Sequence, residues 1–448
     1  MLEGLEICEV PFSRVIGNDI VRMESEFYNS NTVSYKNTVK ASQIIDFSQY
    51  GTSKELNEMG EGYPVLRLNE FNYSFISHPD KYCSLLDIDA YHGLQLKKDD
   101  VLICRTNGNP KFVGRSAIVP KDYDYAFASY LFRIRPNRKY INSATLVAFL
   151  NSKYGRLEIE KYSMVGNQAN FSPAKFREIS IPVFSKDLND KIEDITYRAF
   201  QKLEMSESLY SEAANNMLEC LDLNDFTASS NSCNVKTLKE SFIETGRLDA
   251  EYYQPKYDSL FEKLKGFPTA TIKEIATIQK SIEPGSDAYQ EEGIPFIRVA
   301  NLSKFGLSNS DVKLETTKFA DTIRPQKDTI LLSKDGSVGI AYKMEETQDV
   351  ITSSAILHLQ LTTPNVVPDY LTLVLNSIVV KLQAERDAGG SIIQHWKPSE
   401  IEHIIIPILP MNEQQMIANK IKQSFKMRED AQDLLLQAKC IIETAIEK

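Results

Sequence analysis

The sequence predicts an α+β protein built twice, each copy a strand-rich mixed α/β domain followed by a long helix. Three observations carry this. Short motifs recur in the same order along the whole chain at offsets of 225 to 231, close to half of its 448 residues. β-Branched and aromatic runs bounded by Gly, Pro and Asn fill the front of each copy. Each copy then closes on a long charged segment that holds neither Gly nor Pro.

The echo opens with "RMESEFYN" (Arg22–Asn29) and "RLDAEYYQP" (Arg247–Pro255), each an arginine, a Glu four residues on, then two aromatics. "YPVLRL" (Tyr63–Leu68) matches "IPFIRV" (Ile294–Val299), and "DDVLICRTNG" (Asp99–Gly108) matches "KDTILLSKDG" (Lys327–Gly336). "LVAFLNS" (Leu146–Ser152) matches "LTLVLNS" (Leu371–Ser377), and "SPAKFREISIP" (Ser172–Pro182) matches "KPSEIEHIIIP" (Lys397–Pro407). So long a period excludes a solenoid and makes each copy domain-sized.

Within each copy, "YPVLRL", "VLIC", "SYLFRIR", "DTILLS" and "SAILHLQL" predict strands. A helix is expected near Thr145–Tyr154 and near Tyr370–Leu382. A polar or Gly-rich loop follows, "SMVGNQANFSP" or "DAGGSIIQHWKP", and then a short strand ending in Ile-Pro. The closing segments have helical periodicity. In the first, Ala199, Ser206, Ala213 and Cys220 recur every seven residues, flanked by Leu203, Tyr210 and Met217. In the second, Ser424, Ala431, Ala438 and Ala445 recur likewise, with Met427, Leu434 and Ile441 between them. Small residues at every seventh position let two backbones approach, so the matched heptads predict that the helices pair with each other. The expected divisions are a domain over residues 1–185, a helix over 186–222, a linker and second domain over 223–410, and a helix over 411–448.

With 42% hydrophobic and 25% charged residues, the chain belongs to the soluble globular class. Its richest apolar run, "IIIPIL" at Ile404–Leu409, is too short for a membrane span and is broken by proline. The acidic "MLEGLEICEVPF" start lacks a signal pattern, so a cytoplasmic protein is expected. Six scattered cysteines (Cys8, Cys83, Cys104, Cys220, Cys233, Cys440) show no C-x-x-C and are expected as reduced thiols, without zinc or a disulfide framework. The net charge of −10 argues against a simple basic nucleic-acid binder. Yet Lys97–Glu178 holds fifteen Lys/Arg against seven Asp/Glu, while residues 1–62 hold five against ten. Charge segregated in this way can offer a positive face to a polyanion.

Catalytic signatures are missing: no phosphate-binding loop, dinucleotide fingerprint, zincin motif or nucleophile elbow occurs. His78, His92, His358, His395 and His403 lack metal-ligand spacing, and neither Pro79–Asp80 nor Pro368–Asp369 opens a nuclease metal motif. No Asn/Asp-Pro-Pro-aromatic run offers a seat for a flipped adenine. The loops are more informative. "CRTNGNPKFVGR" leaves a strand with Arg105, Asn107, Asn109, Lys111 and Arg115 on a Gly-containing turn, residues that suit guanine, adenine and phosphate. Its counterpart "SKDGSVG" keeps the glycines but carries Lys334 and Ser337. In the other loop pair, Asn167, Gln168 and Asn170 stand against Ile392, Ile393, Gln394 and His395, with Lys397 following. One scaffold with two sets of tips suits two readers of different sequences, although Asn-Gly and Asp-Gly also favour plain hairpin turns.

Together the half-chain duplication, the "DVLICRTNG…VG" and "DTILLSKDGSVG" turns, and the "ISIP" and "IIIPILPMNEQQMI" runs resemble the specificity subunits of type I restriction-modification enzymes. "RLDAEYYQP" is similar to a motif near the domain starts of that family. The likeness covers essentially the whole chain, though "ISIPVFSKDLNDKI" lacks the Pro-x-x-Glu-Gln present at Pro410–Gln414. It implies two target recognition domains, each reading half of a bipartite double-stranded DNA site, and long helices paired as an antiparallel coiled coil that spaces them. It implies no catalysis and no cofactor in this chain. Two adenine-N6 methyltransferase subunits would use S-adenosylmethionine, and restriction subunits ATP and Mg²⁺. The alternatives are a non-DNA scaffold, or a methyltransferase or nuclease with unrecognisable motifs.

Overall fold

The computed structural model describes residues 9–16, 28, 37–163, 169–227, 229, 233–388 and 394–448. The chain divides into two compact units, Met1–Glu204 with Met427–Lys448, and Met205–Lys426. The division falls inside both long helices, so each unit holds one strand-rich domain and a part of each helix.

In the first unit a six-stranded sheet runs in the order Ile45–Tyr50, Leu131–Pro136, Val101–Cys104, Ser116–Ile118, Phe75–Ile76 and Phe71–Asn72. All four residues of Val101–Cys104 are buried, which explains its unbroken apolar run. A second sheet places Tyr63–Leu66 antiparallel to Tyr82–Cys83 and parallel to Ala126–Phe127, and Thr38–Lys40 pairs with Ser180–Pro182. The second unit repeats these pieces. Ala276–Lys280, Ile356–Leu361, Ile330–Ser333 and Ala341–Lys343 form a four-stranded sheet in that order. Ile294–Ile297 lies antiparallel to Lys313–Leu314 and parallel to Ile351–Thr352, and Thr269–Thr271 pairs with Ile405–Pro407. Equal order and equal sense of pairing make this a duplication of fold as well as of sequence.

Where single helices were expected, each unit has two: Ser143–Leu150 and Lys153–Ser163 in the first, Pro368–Leu375 and Ile378–Asp387 in the second. The break falls on the repeated "LNS". Ser152 Oγ donates to the Phe149 carbonyl at 2.6 Å and Ser377 Oγ to that of Val374 at 2.7 Å. Such side-chain-to-backbone bonds end a helix without disturbing its apolar periodicity, so the pattern alone runs straight through.

The "RLDAEYYQP" run is a clasp. Arg247 Nε donates to Asp249 Oδ1 at 2.8 Å, and the Arg247 and Arg386 guanidiniums lie 4.5 and 5.0 Å from the Tyr252 ring centre. This ties the turn Ala250–Tyr253, and the helix Pro255–Leu264 that proline opens, to Ile378–Asp387. In the counterpart, residues 22–27 and Asn29 lie outside the described residues.

The long helices are Lys186–Cys220, 35 residues, and Met411–Glu447, 37 residues. Within the second unit Ser206 Oγ lies 3.0 Å from Ser424 Oγ, and Lys420 Nζ donates to Glu212 Oε2 at 2.6 Å. Advancing along one helix therefore retreats along the other, and the pair is antiparallel. In the first unit Lys202 Nζ reaches Asp430 Oδ2 at 2.7 Å. The first helix buries Ala199, Leu203, Ser206, Tyr210, Ala213 and Met217. The second buries Ser424, Arg428, Ala431, Ala438 and Ile442, while Met427, Leu434, Ile441 and Ala445 are half-buried at the seam's flank. The buried row of the first helix thus alternates steps of four and three, and that of the second keeps the same heptad spacing with one place, between Ala431 and Ala438, left half-buried.

Candidate nucleic-acid interface

Two loops far apart in sequence meet in each unit. In the first, Thr106 bridges to Asn170, and the Phe171 amide donates to the Arg105 carbonyl at 2.7 Å. In the second, Asp335 bridges to His395, and the Trp396 amide donates to the Lys334 carbonyl at 2.8 Å. Buried Phe171 and Trp396 anchor the second loop of each pair to the core. Asp99 and Asp328, both at positive φ, stand two residues ahead of the strands Val101–Cys104 and Ile330–Ser333. The spatial match is therefore one residue off the letter match: Arg105 stands with Lys334, and Thr106 with Asp335.

Both loops close in the same way. The Cys104 amide donates to the Arg115 carbonyl and the Ser333 amide to that of Ile340, at 2.8 and 2.9 Å. Gly114 and Gly339, with φ of 76° and 87°, make the left-handed turn at each exit. The intervening stretch is four residues longer in the first copy, which is why the letters drift. Asn151 clamps the first loop's exit strand: its Oδ1 accepts from the Ser116 amide at 3.3 Å and its Nδ2 donates to the Ser116 carbonyl at 3.0 Å. Asn376 does the same to Ala341 at 3.0 and 2.8 Å. Their only trace in the sequence is the repeated "LNS". Replacing either asparagine with alanine strands a buried amide and carbonyl, and is expected to lower unfolding free energy by about 1–3 kcal/mol in denaturant titration.

Part of the basic stretch of the first copy is paired with carboxylates. Buried Asp100 holds Arg133 at 3.1 Å and Arg135 at 2.6 Å, Arg138 pairs with Asp99 and Glu193, and Lys97, Lys121 and Lys153 each meet a carboxylate. Arg105, Lys111 and Arg115, by contrast, have no ion pair among the described residues. Arg105 lies 5.1 Å from the Tyr50 ring centre and donates to the Ser129 carbonyl at 3.4 Å. Arg115 lies 5.9 Å from that of Phe112, and burial pulls its guanidinium pKa down. Arg156, not recognised from sequence, braces the loop from beneath by donating to the Val113 carbonyl at 2.8 Å, and burial lowers its pKa as well.

The amides fold the loop itself. Asn107 Oδ1 accepts from the Asn109 amide at 2.8 Å, and Asn109 Oδ1 from the Lys111 amide at 3.0 Å. The Asn170 carbonyl accepts from Lys175 Nζ at 2.8 Å. Asn167 and Gln168, like Ile392 and Ile393, lie outside the described residues. The second unit's loops are neutralised from within. Asp335 pairs with Lys334, and its Oδ1 lies 2.9 Å from His395 Nδ1. Burial pushes the Asp335 carboxyl up, but the hydrogen bonds from Lys334 and His395 outweigh it and hold the pKa below the usual carboxylate range. Lys397 pairs with Glu400 at 3.4 Å, and Ser337 and Gln394 are exposed.

Among the described residues no group of three or more His, Cys, Asp or Glu could hold a metal ion, and no helix is long and apolar enough to cross a membrane. Five described cysteines are unbridged; burial pushes the Cys104 thiol, at the loop's root, up to about 11.

Residues 265–432 match the family model of the type I restriction modification DNA specificity domain. The type I restriction enzyme StySPI specificity subunit of Salmonella potsdam is 24% identical over 135 residues, which span 30% of this chain and 29% of that relative. Two solved structures align along most of the chain. The type I restriction-modification system S subunit from M. genitalium has 13% identity, covers 93% of this chain and 96% of its own, and gives a TM-score of 0.40. The HsdS subunit from Thermoanaerobacter tengcongensis has 12% identity, covers 92% and 96%, and gives 0.30. Within the second half of the chain, residues 265–432 are thus similar to the type I restriction modification DNA specificity domain, and the likeness to type I specificity subunits read from the sequence is borne out.

Proposed function

We propose that this chain is the sequence-reading subunit of a cytoplasmic DNA modification complex, each unit reading one half of a bipartite site. The observation that carries this reading is the repeated crossing of two loops, built on one scaffold and equipped with different side chains. Two half-sites of different sequence need two reading heads, and a duplicated fold supplies them in a fixed order. Partner subunits would do the chemistry: two adenine-N6 methyltransferases using S-adenosylmethionine, joined in a restricting system by subunits that need ATP and Mg²⁺.

Arg105, Lys111 and Arg115 carry the first head's charge, with Asn107 and Asn109 shaping the turn and Asn170 meeting it from the second loop. Lys334, Ser337, Gln394, His395 and Lys397 make up the second head. Alanine at a residue that contacts phosphate is expected to weaken binding to all duplexes and to reduce the slope of log K against log salt by roughly one. Alanine at a base reader is expected to cost roughly 1–3 kcal/mol at one position of one half-site. Duplex binding by the purified chain across a salt series decides it. If Arg105→Ala, Lys111→Ala and Arg115→Ala all leave affinity, salt slope and target unchanged, this loop is not at the DNA.

A further inference from the structure

The two loop crossings are equivalent in place and unlike in chemistry. Thr106 faces Asn170 in the first unit, and its Oγ1 donates to the Ala169 carbonyl at 3.3 Å, so that crossing is uncharged. The second crossing is an aspartate and a histidine joined side chain to side chain, with the His395 side chain 64% exposed and that of Asp335 22%. Everything around each crossing is repeated: the strand that enters it, the glycine that leaves it, the asparagine clamp and the buried aromatic. A difference at the position where two repeated loops meet is one place where two heads on the same scaffold can differ in what they read.

Resting on the DNA-reading function above, we propose that this crossing tells the two half-sites apart, and that His395 reads the second one by accepting a hydrogen bond from the exocyclic amino group of adenine or cytosine. The geometry assigns the acceptor. An ionised carboxylate only accepts, so the imidazole nitrogen beside it, Nδ1, carries the proton. In the neutral ring Nε2 then offers a lone pair. In the major groove, adenine N6 and cytosine N4 are the amino donors, whereas guanine O6 and N7 and thymine O4 only accept. Asp335 is the positioning residue. Lys334 holds its other carboxylate oxygen, while the adjacent Lys397 is occupied by Glu400.

The test is selection of duplexes from a random pool by the full chain at neutral pH, repeated with His395→Ala, Asp335→Asn and Asn170→Ala. The wild type is expected to enrich two half-sites. His395→Ala should relax a single A or C position of one half-site by about tenfold or more and leave the other half-site intact. Asp335→Asn, which frees the tautomer, should weaken the same position, and Asn170→Ala should act only on the other half-site. Replacing the base at that position with purine or pyrimidin-2-one, which lack the amino group, separates adenine from cytosine and should cost the wild type as much as the His395 variant loses. A relaxed position that is G or T, or an equal loss on all sequences, overturns the proposal while leaving DNA reading in place. Selection of no sequence by the wild type overturns both.

Discussion

Adding one heptad to each long helix, at the level where Ser206 meets Ser424, is expected to leave both half-site sequences unchanged and to widen the gap between them by about three base pairs. Seven residues lengthen a helix by about 10 Å, and duplex DNA rises about 3.4 Å per base pair. Heptad periodicity alone suggests matching Ser206 with Ala431, the residue one repeat on. The contact in the structure is with Ser424, so paired insertions belong there, where they keep Lys202 with Asp430 and Glu212 with Lys420. Inserting the heptad in only one helix slides buried Leu203 or Tyr210 against the wrong partners and should cost more than about 4 kcal/mol. The readouts are the methylated motif in cells that carry the doubly extended chain with its methyltransferase partner, and the unfolding midpoint of each variant. A stable, active double insertion that keeps the original spacing would show that the helices do not set it.

Replacing Asp100 with asparagine is expected to destabilise the first unit by about 3–5 kcal/mol, the cost of leaving a buried charge uncompensated. Asp100 is fully buried, and its carboxylate holds Arg133, itself 5% exposed, together with Arg135 and the Lys97 amide. Burial already pulls the Arg133 pKa down, so the guanidinium depends on its partners. A double change to Asp100→Leu and Arg133→Met removes both charges and should recover part of the loss. Denaturant unfolding of the three proteins measures this. Equal stability of wild type and Asp100→Asn would mean that the surrounding carbonyls alone satisfy Arg133.

The duplication, the strands and the two long helices were legible because each rests on local pattern. "VLIC" and "ILLS" are apolar because both faces of their strands are covered, and the heptads are spaced as a helical seam requires. The loops were legible as loops for the same reason, since Gly114 and Gly339 answer a local demand for left-handed backbone. The clamps Asn151 and Asn376, and the brace Arg156, were missed because nothing in a one-dimensional pattern separates an asparagine that ends a helix from one that grips a neighbouring strand.

By itself, then, the sequence determined the period of the repeat, the order of its elements and the residue types at the loop tips. The tertiary structure decided which of those residues are free to act. Among the described residues it paired Lys97, Lys121, Arg133, Arg135, Arg138 and Lys153 with carboxylates and left Arg105, Lys111 and Arg115 without an ion pair. It also brought Thr106 to Asn170 and Asp335 to His395 across long stretches of chain. Net charge and spacing are sums along the chain, whereas ion pairing and loop crossing depend on distances of a few ångströms that only packing sets.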